Sequence, residues 1–227
     1  MSEQRIDLIV DAAERLIAQK GIFAFSLNEL CQITGLSNGS LYRTVKNKDD
    51  IIAQIFLRVL NRYQQLDIAI SRSNLNDREK FLCHFCYPFF VSAIYRSDIG
   101  INHLATNWGL IKHTQPRFLD EVRAAFHSLG HGRKRLMRTL LENDYFEADQ
   151  TKLKKVVLQM HIISKGSSVV AANVFLPKSR LPIDEVIDYL EATSEQLQWH
   201  EHAPKVDRKA LLATLRTLSD NNIRIVV

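Results

Sequence analysis

Glycine and proline are scarce in this chain, at 8 and 5 of 227 residues. A turn-rich all-β fold needs more of both, so that class is disfavoured. Cysteine is scarcer still, with only Cys31, Cys83 and Cys86. That odd, low count argues for a reducing cytoplasm. No apolar run has the length of a membrane span. The longest apolar stretch, 156–175, is broken by Gln159, His161, Lys165 and Asn173, so it reads as a buried helix. The opening MSEQRIDLIVDAAERL is charged and amphipathic, unlike a signal peptide. No membrane partner is expected.

Acidic residues are missing from one stretch in particular. Between Glu29 and Asp49 there is none, while Arg43, Lys46 and Lys48 fall within six residues. The net charge of +5 is compatible with nucleic acid but does not establish it. Residues 1–50 hold six Lys/Arg and seven Asp/Glu, so this segment is not basic overall. Its charge is sorted instead: acids lie mostly on the first helix, bases on the segment after Ser40.

Local signals divide the segment into short helices. Ile6, Ile9, Val10, Ala13, Leu16 and Ile17 recur at helical spacing, and Gly21 follows as a stop. Phe23 and Phe25 read as core plugs in the link. Ser26-Leu27-Asn28-Glu29 is a capping box that starts a second helix, with Leu27, Leu30 and Ile33 on one face. Gly35 permits a tight turn. Ser37 caps a third helix, 38–44, and Asn47 a fourth, with Asp49 and Asp50 in its first turn. Ile51, Ile52, Ile55, Phe56, Val59 and Leu60 form the apolar face of the fourth.

Two short helices joined by a glycine turn and packed on a longer one are the parts of a helix-turn-helix. A major groove is about 12 Å wide and admits one helix. Small residues at Ser37, Asn38, Gly39 and Ser40 allow close approach to base edges, with Tyr42, Arg43, Lys46 and Lys48 beside them for phosphates. Periodicity alone also allows a surface loop over GLSNGSLYR, with Tyr42 as a satellite core residue.

Residues 5–56 resemble the DNA-binding domain of the TetR family of bacterial transcriptional regulators. The resemblance rests on I-x-x-A-A-x-x-L (Ile9, Ala12, Ala13, Leu16), the Gly21 break, the Ser26 cap, ITGLSNGSLY and KNKDDII. It implies an all-α fold, with an N-terminal three-helix DNA-binding domain over 1–47. A long helix then leads into a helical ligand-binding and dimerisation domain over 48–227. It further implies that the recognition helix lies around Ser37–Tyr42, and that Tyr42, Lys48 and Ser26 touch phosphate. One departure is Val45, where the family usually places phenylalanine. Valine buries less area, about 1 kcal/mol less.

Beyond residue 76, helices are expected over 77–96, 98–113, 116–143, 149–175, 182–199 and 206–219, before a tail at 223–227. Asn76, Ser97 and Asp149 are caps, and Pro116 and Pro182 occupy first turns. Pro88 interrupts the fifth pattern. Phe81, Phe85, Phe89, Phe90, Tyr95, Trp108, Phe118 and Phe126 are mostly core. No role is assigned after Trp199.

The resemblance implies a homodimer through the two last long helices of the common fold. Gly166, Ser167, Ser168, Ala171 and Ala172 are small enough for close helix approach, and Val169, Val170 and Val174 add apolar area. An intramolecular core helix would show the same pattern. A dimer would set two recognition helices ~34–36 Å apart on a palindromic operator. An apolar small-molecule site is expected among Phe85, Phe89, His103, Asn107 and Trp108, although for any single polar member a satisfied core or surface role is the better reading. The link from ligand to DNA would be the fourth helix, which starts at Lys48 and continues through Ile55, Val59 and Tyr63.

Other chemistry is set aside. Cys83-His84-Phe85-Cys86 lacks further ligands to complete a metal site and reads as buried. His200-Glu201-His202 is weak as a metal motif. Gly130-His131-Gly132-Arg133-Lys134-Arg135 lacks the strand and GK[ST] ending of a phosphate loop. It is either a solvated basic face on a loosened helix or a loop between two helices. No catalytic constellation stands out, so neither an enzyme nor a cofactor is expected. The expected partners are duplex DNA, an unidentified effector and a second copy. A DNA-binding protein acting through protein contacts is the alternative, and an enzyme on a borrowed fold the third reading.

Overall fold

The computed structural model describes residues 2–94, 111–173, 175–177 and 181–223. These form α1 (Ser2–Lys20), α2 (Leu27–Thr34), α3 (Asn38–Thr44), α4 (Lys48–Arg72), α5 (Asp77–Ile94), α6 (Pro116–Ser128), α7 (His131–Glu142), α8 (Gln150–Ala172), α9 (Ile183–Glu195) and α10 (Arg208–Ile223). Among the described residues there is no strand, only an isolated antiparallel bridge between Phe146 and Trp199. No described helix is long and apolar enough to cross a membrane. The chain divides into two compact units, Met1–Arg62 with Gly100–Leu129, and Tyr63–Ile99 with Gly130–Val227.

The first unit is assembled from helices that local chemistry starts and stops. Gly21 and Gly35, at φ 85° and 67°, end α1 and α2 in the left-handed region that suits glycine. Ile9, Val10, Ala13 and Leu16 of α1 are buried with Phe25, Leu30, Leu41, Val45, Ile51 and Ile55. Phe118 of α6 joins the same core, from far along the chain. Phe23 is not a plug: it is 74% exposed, whereas Phe25 two positions on is buried. Phe23 lies in a tight turn, closed by the Ala24 N–H on the Gly21 carbonyl at 3.3 Å, and only Phe25 beyond the turn reaches the core. Ile33 is likewise exposed, leaving Leu30 as the fully buried residue of α2.

The second unit packs α5 against α8, α9, α7 and α10. Phe81, Phe85 and Phe89 of α5 are buried among Leu140, Val156, Met160, Leu190 and Leu215. Asn76 and Glu79 make a capping box at the start of α5. The Glu79 N–H donates to Asn76 Oδ1 (3.0 Å) and the Asn76 N–H to Glu79 Oε2 (2.8 Å). Glu79 Oε1 also accepts from the Asp207 N–H at 2.7 Å, which ties the start of α10 to α5. Pro88 lies inside α5, as its sequence pattern placed it. Cys83 and Cys86 are buried, and burial pushes the Cys83 thiol up to about 12. His200 and His202 turn to the Asp144 and Asn143 carbonyls.

The helix expected over 116–143 is two helices. Gly130, at φ 77°, stands between α6 and α7 in a conformation that costs other residues energy. Phe126 of α6, expected in the core, is 54% exposed. The helix expected to reach Trp199 stops at Glu195, and Trp199 packs edge-on against Phe146 at 5.3 Å. The expected helix over 98–113, with Ser97 and Trp108, falls almost wholly outside the described residues, as do Val174 and residues 224–227.

Candidate nucleic-acid interface

The site begins at the α2 cap. The Glu29 N–H donates to Ser26 Oγ (3.2 Å), while the Ser26 N–H and hydroxyl both donate to Glu29 Oε2 (2.9 Å each). Lys20 pairs with Glu29 from the end of α1. Lys20 first, then the Ser26 hydroxyl, hold the Glu29 carboxyl below the usual carboxylate range. The Ser26 hydroxyl is thus occupied by its own cap.

After the Gly35 turn, Ser37 takes extended backbone and its Oγ accepts from the Ser40 N–H at 3.2 Å. The helix that follows is only seven residues long, too short to persist alone. Leu41 and Val45, both fully buried, anchor it at about 1.5–3 kcal/mol each. Val45 keeps the inward position that the family gives to phenylalanine. With Leu41 and Thr44 facing in, Asn38, Gly39, Tyr42, Arg43 and Lys46 are left exposed. A methyl group added at Gly39 would meet nothing within 4 Å. Asn38 Oδ1 accepts from the Cys31 thiol at 3.1 Å, which fixes one end of its amide.

Lys48 is half-buried. Its ammonium donates to the Phe23 carbonyl at 3.3 Å and sits 4.8 Å from the Phe25 ring centre. It therefore lies beside the link that leads into Ser26. Asn47 caps α4 as expected, with the Asp50 N–H donating to its Oδ1 at 3.0 Å.

The acids near this surface are occupied elsewhere. Asp50 accepts from the backbone N–H groups of Lys46 and Gln115, both at 2.7 Å, and from the Gln115 side chain at 2.6 Å. Asp49 Oδ2 accepts from the His113 N–H, and Arg117 donates to the Thr44 carbonyl at the end of α3. On α1, Asp7, Asp11 and Glu14 all pair with Arg58 of α4, and Glu14 also with Arg62. Burial opposes the Arg58 charge, but the hydrogen bonds it donates to Asp7 and Asp11 outweigh it and raise its pKa above the usual value. The charge sorting visible in the sequence thus has a partner, Arg58, that the sequence did not identify. The bracing by residues 113–117 lies some 65 positions away and carries no local signal.

In the second unit, Phe85 and Phe89 are fully buried, and His103, Asn107 and Trp108 lie outside the described residues. A separate surface feature runs along α8 and α9. Leu158, Ile162, Val169 and Tyr189 are each at least half exposed. A groove of about 490 Å³ opens between Ile162, Gly166, Val170, Leu181, Tyr189 and Thr193. Of the small residues expected to allow close approach, Gly166 is exposed with open space around it, whereas Ser168 is buried and donates to the Ser164 carbonyl.

Residues 9–55 match the family model for bacterial regulatory proteins of the tetR family. No curated protein matches the chain. Among solved structures it is similar to the fatty acid degradation regulator FadR from Bacillus halodurans. The identity there is 14% over 85% of this chain and 94% of that one, with a TM-score of 0.55. A transcriptional regulator of the TetR/AcrR family from Thermobifida fusca YX-ER1 is similar at 18% identity, covering 88% and 100% of the two chains with a TM-score of 0.56. A tetR-family regulatory protein from Rhodococcus RHA1 gives 14% identity, 86% and 98% coverage and a TM-score of 0.55. At such identities these likenesses speak to the fold. The N-terminal match is more specific, and it assigns this chain's helix-turn-helix to the tetR family.

Proposed function

We propose that this chain is a cytoplasmic, dimeric transcriptional repressor, released from a palindromic operator by a small molecule. One observation carries the DNA-binding half of the reading. A seven-residue helix, pinned by Leu41 and Val45, presents small polar residues and Tyr42, Arg43 and Lys46 to solvent, while nearby carboxylates are occupied inward. Residues 1–47 are the proposed DNA-binding segment, with Asn38 and Ser40 toward base edges and Ser37 and Gly39 allowing close approach. Tyr42, Arg43, Lys46, Lys48 and the Ser26 cap lie toward phosphates. Regulation, rather than catalysis, is the proposed activity.

The exposed apolar face of α8 and α9 is the proposed dimer surface, with Gly166 at its closest approach. Phe85 is the described residue around which an effector would gather. Ligand release follows if the effector favours a dimer whose recognition helices no longer match the operator spacing. The likeness to a fatty acid degradation regulator is compatible with an organic effector.

The test is selection of duplex fragments by the purified protein, followed by salt titration of the selected site. Each phosphate-contacting cation removed should lower the log–log salt slope by about 0.9. Lys46→Gln should weaken all sequences alike, whereas Asn38→Ala should shift which base is preferred. A protein that selects no sequence, and binds duplex equally at low and high salt, would refute the reading.

A further inference from the structure

Gly130-His131-Gly132-Arg133 has no part in the DNA surface, and its neighbours Lys134 and Arg135 are solvated. Arg133 behaves differently. Its guanidinium is partly withdrawn from water and lies 5.6 Å from the Phe85 ring centre. The imidazole of His161, on α8, meets the same ring edge-on, with centres 5.1 Å apart. One turn further along α8, the Lys165 ammonium lies 5.8 Å from the Tyr63 ring. Arg133 of α7 and His161 of α8 thus meet Phe85 of α5, while Lys165 of α8 faces Tyr63 of α4.

Their charges are poorly balanced. The carboxylate that Arg133 feels is Asp67, on α4. Asp67 is paired with His84 instead, Oδ1 to Nδ1 at 3.2 Å, and it is packed against α7 so closely that a methyl group on Gly132 would stand 3.1 Å from its Cβ. Arg133 and Lys165 form no hydrogen bond or ion pair with any described residue. Groups drawn out of water are normally paired, because desolvating a lone charge is costly. The cluster shows that cost. Burial, with Arg133 and Lys165 adding to it, pulls His161 down to about 4, and burial followed by Arg133 pulls Lys165 below its usual value. At neutral pH, His161 is therefore an uncharged N–H donor between two cations. Counting Arg133, Lys165 and Asp67, the excess is one positive charge.

We propose that Arg133, His161 and Lys165 form a receptor for one singly charged acid group, a carboxylate, on a small organic ligand, with Phe85 as its floor. Arg133 supplies a planar pair of N–H donors that matches the two oxygens of a carboxylate. His161 supplies one neutral donor, and Lys165 closes the side open to solvent. Asp67 and His84 set the selectivity, since a second negative charge would face Asp67 with no further cation to meet it. This rests on the reading of the second unit as an effector domain and assigns the effector's head group.

The probe is sodium acetate, added to the full-length protein against sodium chloride at equal ionic strength. Nuclear magnetic resonance of the Arg133 Nε–H and the His161 ring protons reports occupancy. Saturable acetate shifts exceeding those of chloride are expected, at least tenfold weaker in Arg133→Gln and in Lys165→Gln but retained in Lys165→Arg. Lys165→Gln removes a solvent-reaching charge, so it keeps the test available should Arg133→Gln fail to fold. Inorganic phosphate should bind more weakly than acetate. Equal responses to acetate and chloride, or undiminished acetate binding in Lys165→Gln, would overturn the assignment. Operator affinity is measured in the same two salts. Acetate binding with unchanged operator affinity supports the site and removes its effector role. Absence of operator binding in either salt counts against the regulator reading alone.

Discussion

The carboxylate of Asp50, at the start of α4, is completely buried and grips Gln115 twice, through its backbone N–H at 2.7 Å and its side-chain amide at 2.6 Å. The same carboxylate takes the Lys46 N–H just after α3. One side chain thus joins the residue just after α3, the start of α4 and the segment before α6. Asp50→Ala leaves three part-buried donors without their acceptor. Three hydrogen bonds to a charged group at about 1.5–3 kcal/mol each would sum to about 4.5–9 kcal/mol, but water can reach the part-buried donors in the variant, so the expected loss is on the order of 3–5 kcal/mol. Gln115→Ala removes one of these donors and should cost less. Urea denaturation of both variants measures the difference, and equal losses would mean that Asp50 acts through the Gln115 side chain alone and that its bonds to the Lys46 and Gln115 backbone contribute nothing.

Gly39 separates stability from recognition. Because an added methyl meets nothing in the protein, Gly39→Ala should leave the melting temperature unchanged or higher, with up to about 1 kcal/mol of helix propensity gained. Operator affinity should nevertheless fall, if DNA packs against this backbone. An alanine variant that binds the operator as well as the parent would show that the duplex does not approach here.

A charge on the exposed face of α8 should separate the proposed dimer. Ile162 is 63% exposed and lines the groove shared with α9. Ile162→Glu is expected to sediment as a folded monomer at micromolar concentration and to lose most of its operator affinity, because both half-sites can no longer be held at once. A variant that still sediments as a dimer would place the interface elsewhere.

His161 makes stability depend on pH. Its folded pKa, about 4, lies below the unfolded value near 6.5. Between those values the unfolded chain holds a proton that the folded chain does not, so stability rises with pH across this window and falls on acidification. The ring is only partly withdrawn from solvent, and after discounting for screening the effect is on the order of 1 kcal/mol. Thermal melts at pH 7 and pH 5 should show a larger loss for the parent than for His161→Gln. Parallel losses would mean that the imidazole titrates normally in the folded protein.

The features legible in the sequence were those whose partners lie within a few residues. Ser26, Ser37 and Asn47 each satisfy an N–H three positions ahead, and all three caps form. The apolar stripe at Ile51, Ile52, Ile55, Phe56, Val59 and Leu60 is buried throughout, because a regular period identifies an inward face. Phe23, Ile33 and Phe126 were misplaced because being apolar says nothing of which neighbour arrives to cover a side chain. Asp50 looked like a helix-dipole carboxylate, which it is by position, but its main partner is a residue 65 positions away. Arg133 looked like one of several solvated bases, and only the fold brings it over Phe85.

The N-terminal head is not finished when its own helices have been synthesised. Phe118 completes its core, and Gln115 and Arg117 complete its bracing, yet all three belong to a segment that follows α5. On the ribosome, the stretch from Arg62 to Leu129 takes about 3–13 s to make at 5–20 residues per second. Through that interval the apolar flank that Phe118 will cover stays open and the Asp50 carboxylate waits for Gln115. An exchange of N-terminal heads between proteins of this fold, cut after the first four helices, would reproduce that unfinished state permanently. A graft that carries residues 113–129 along with the head avoids it.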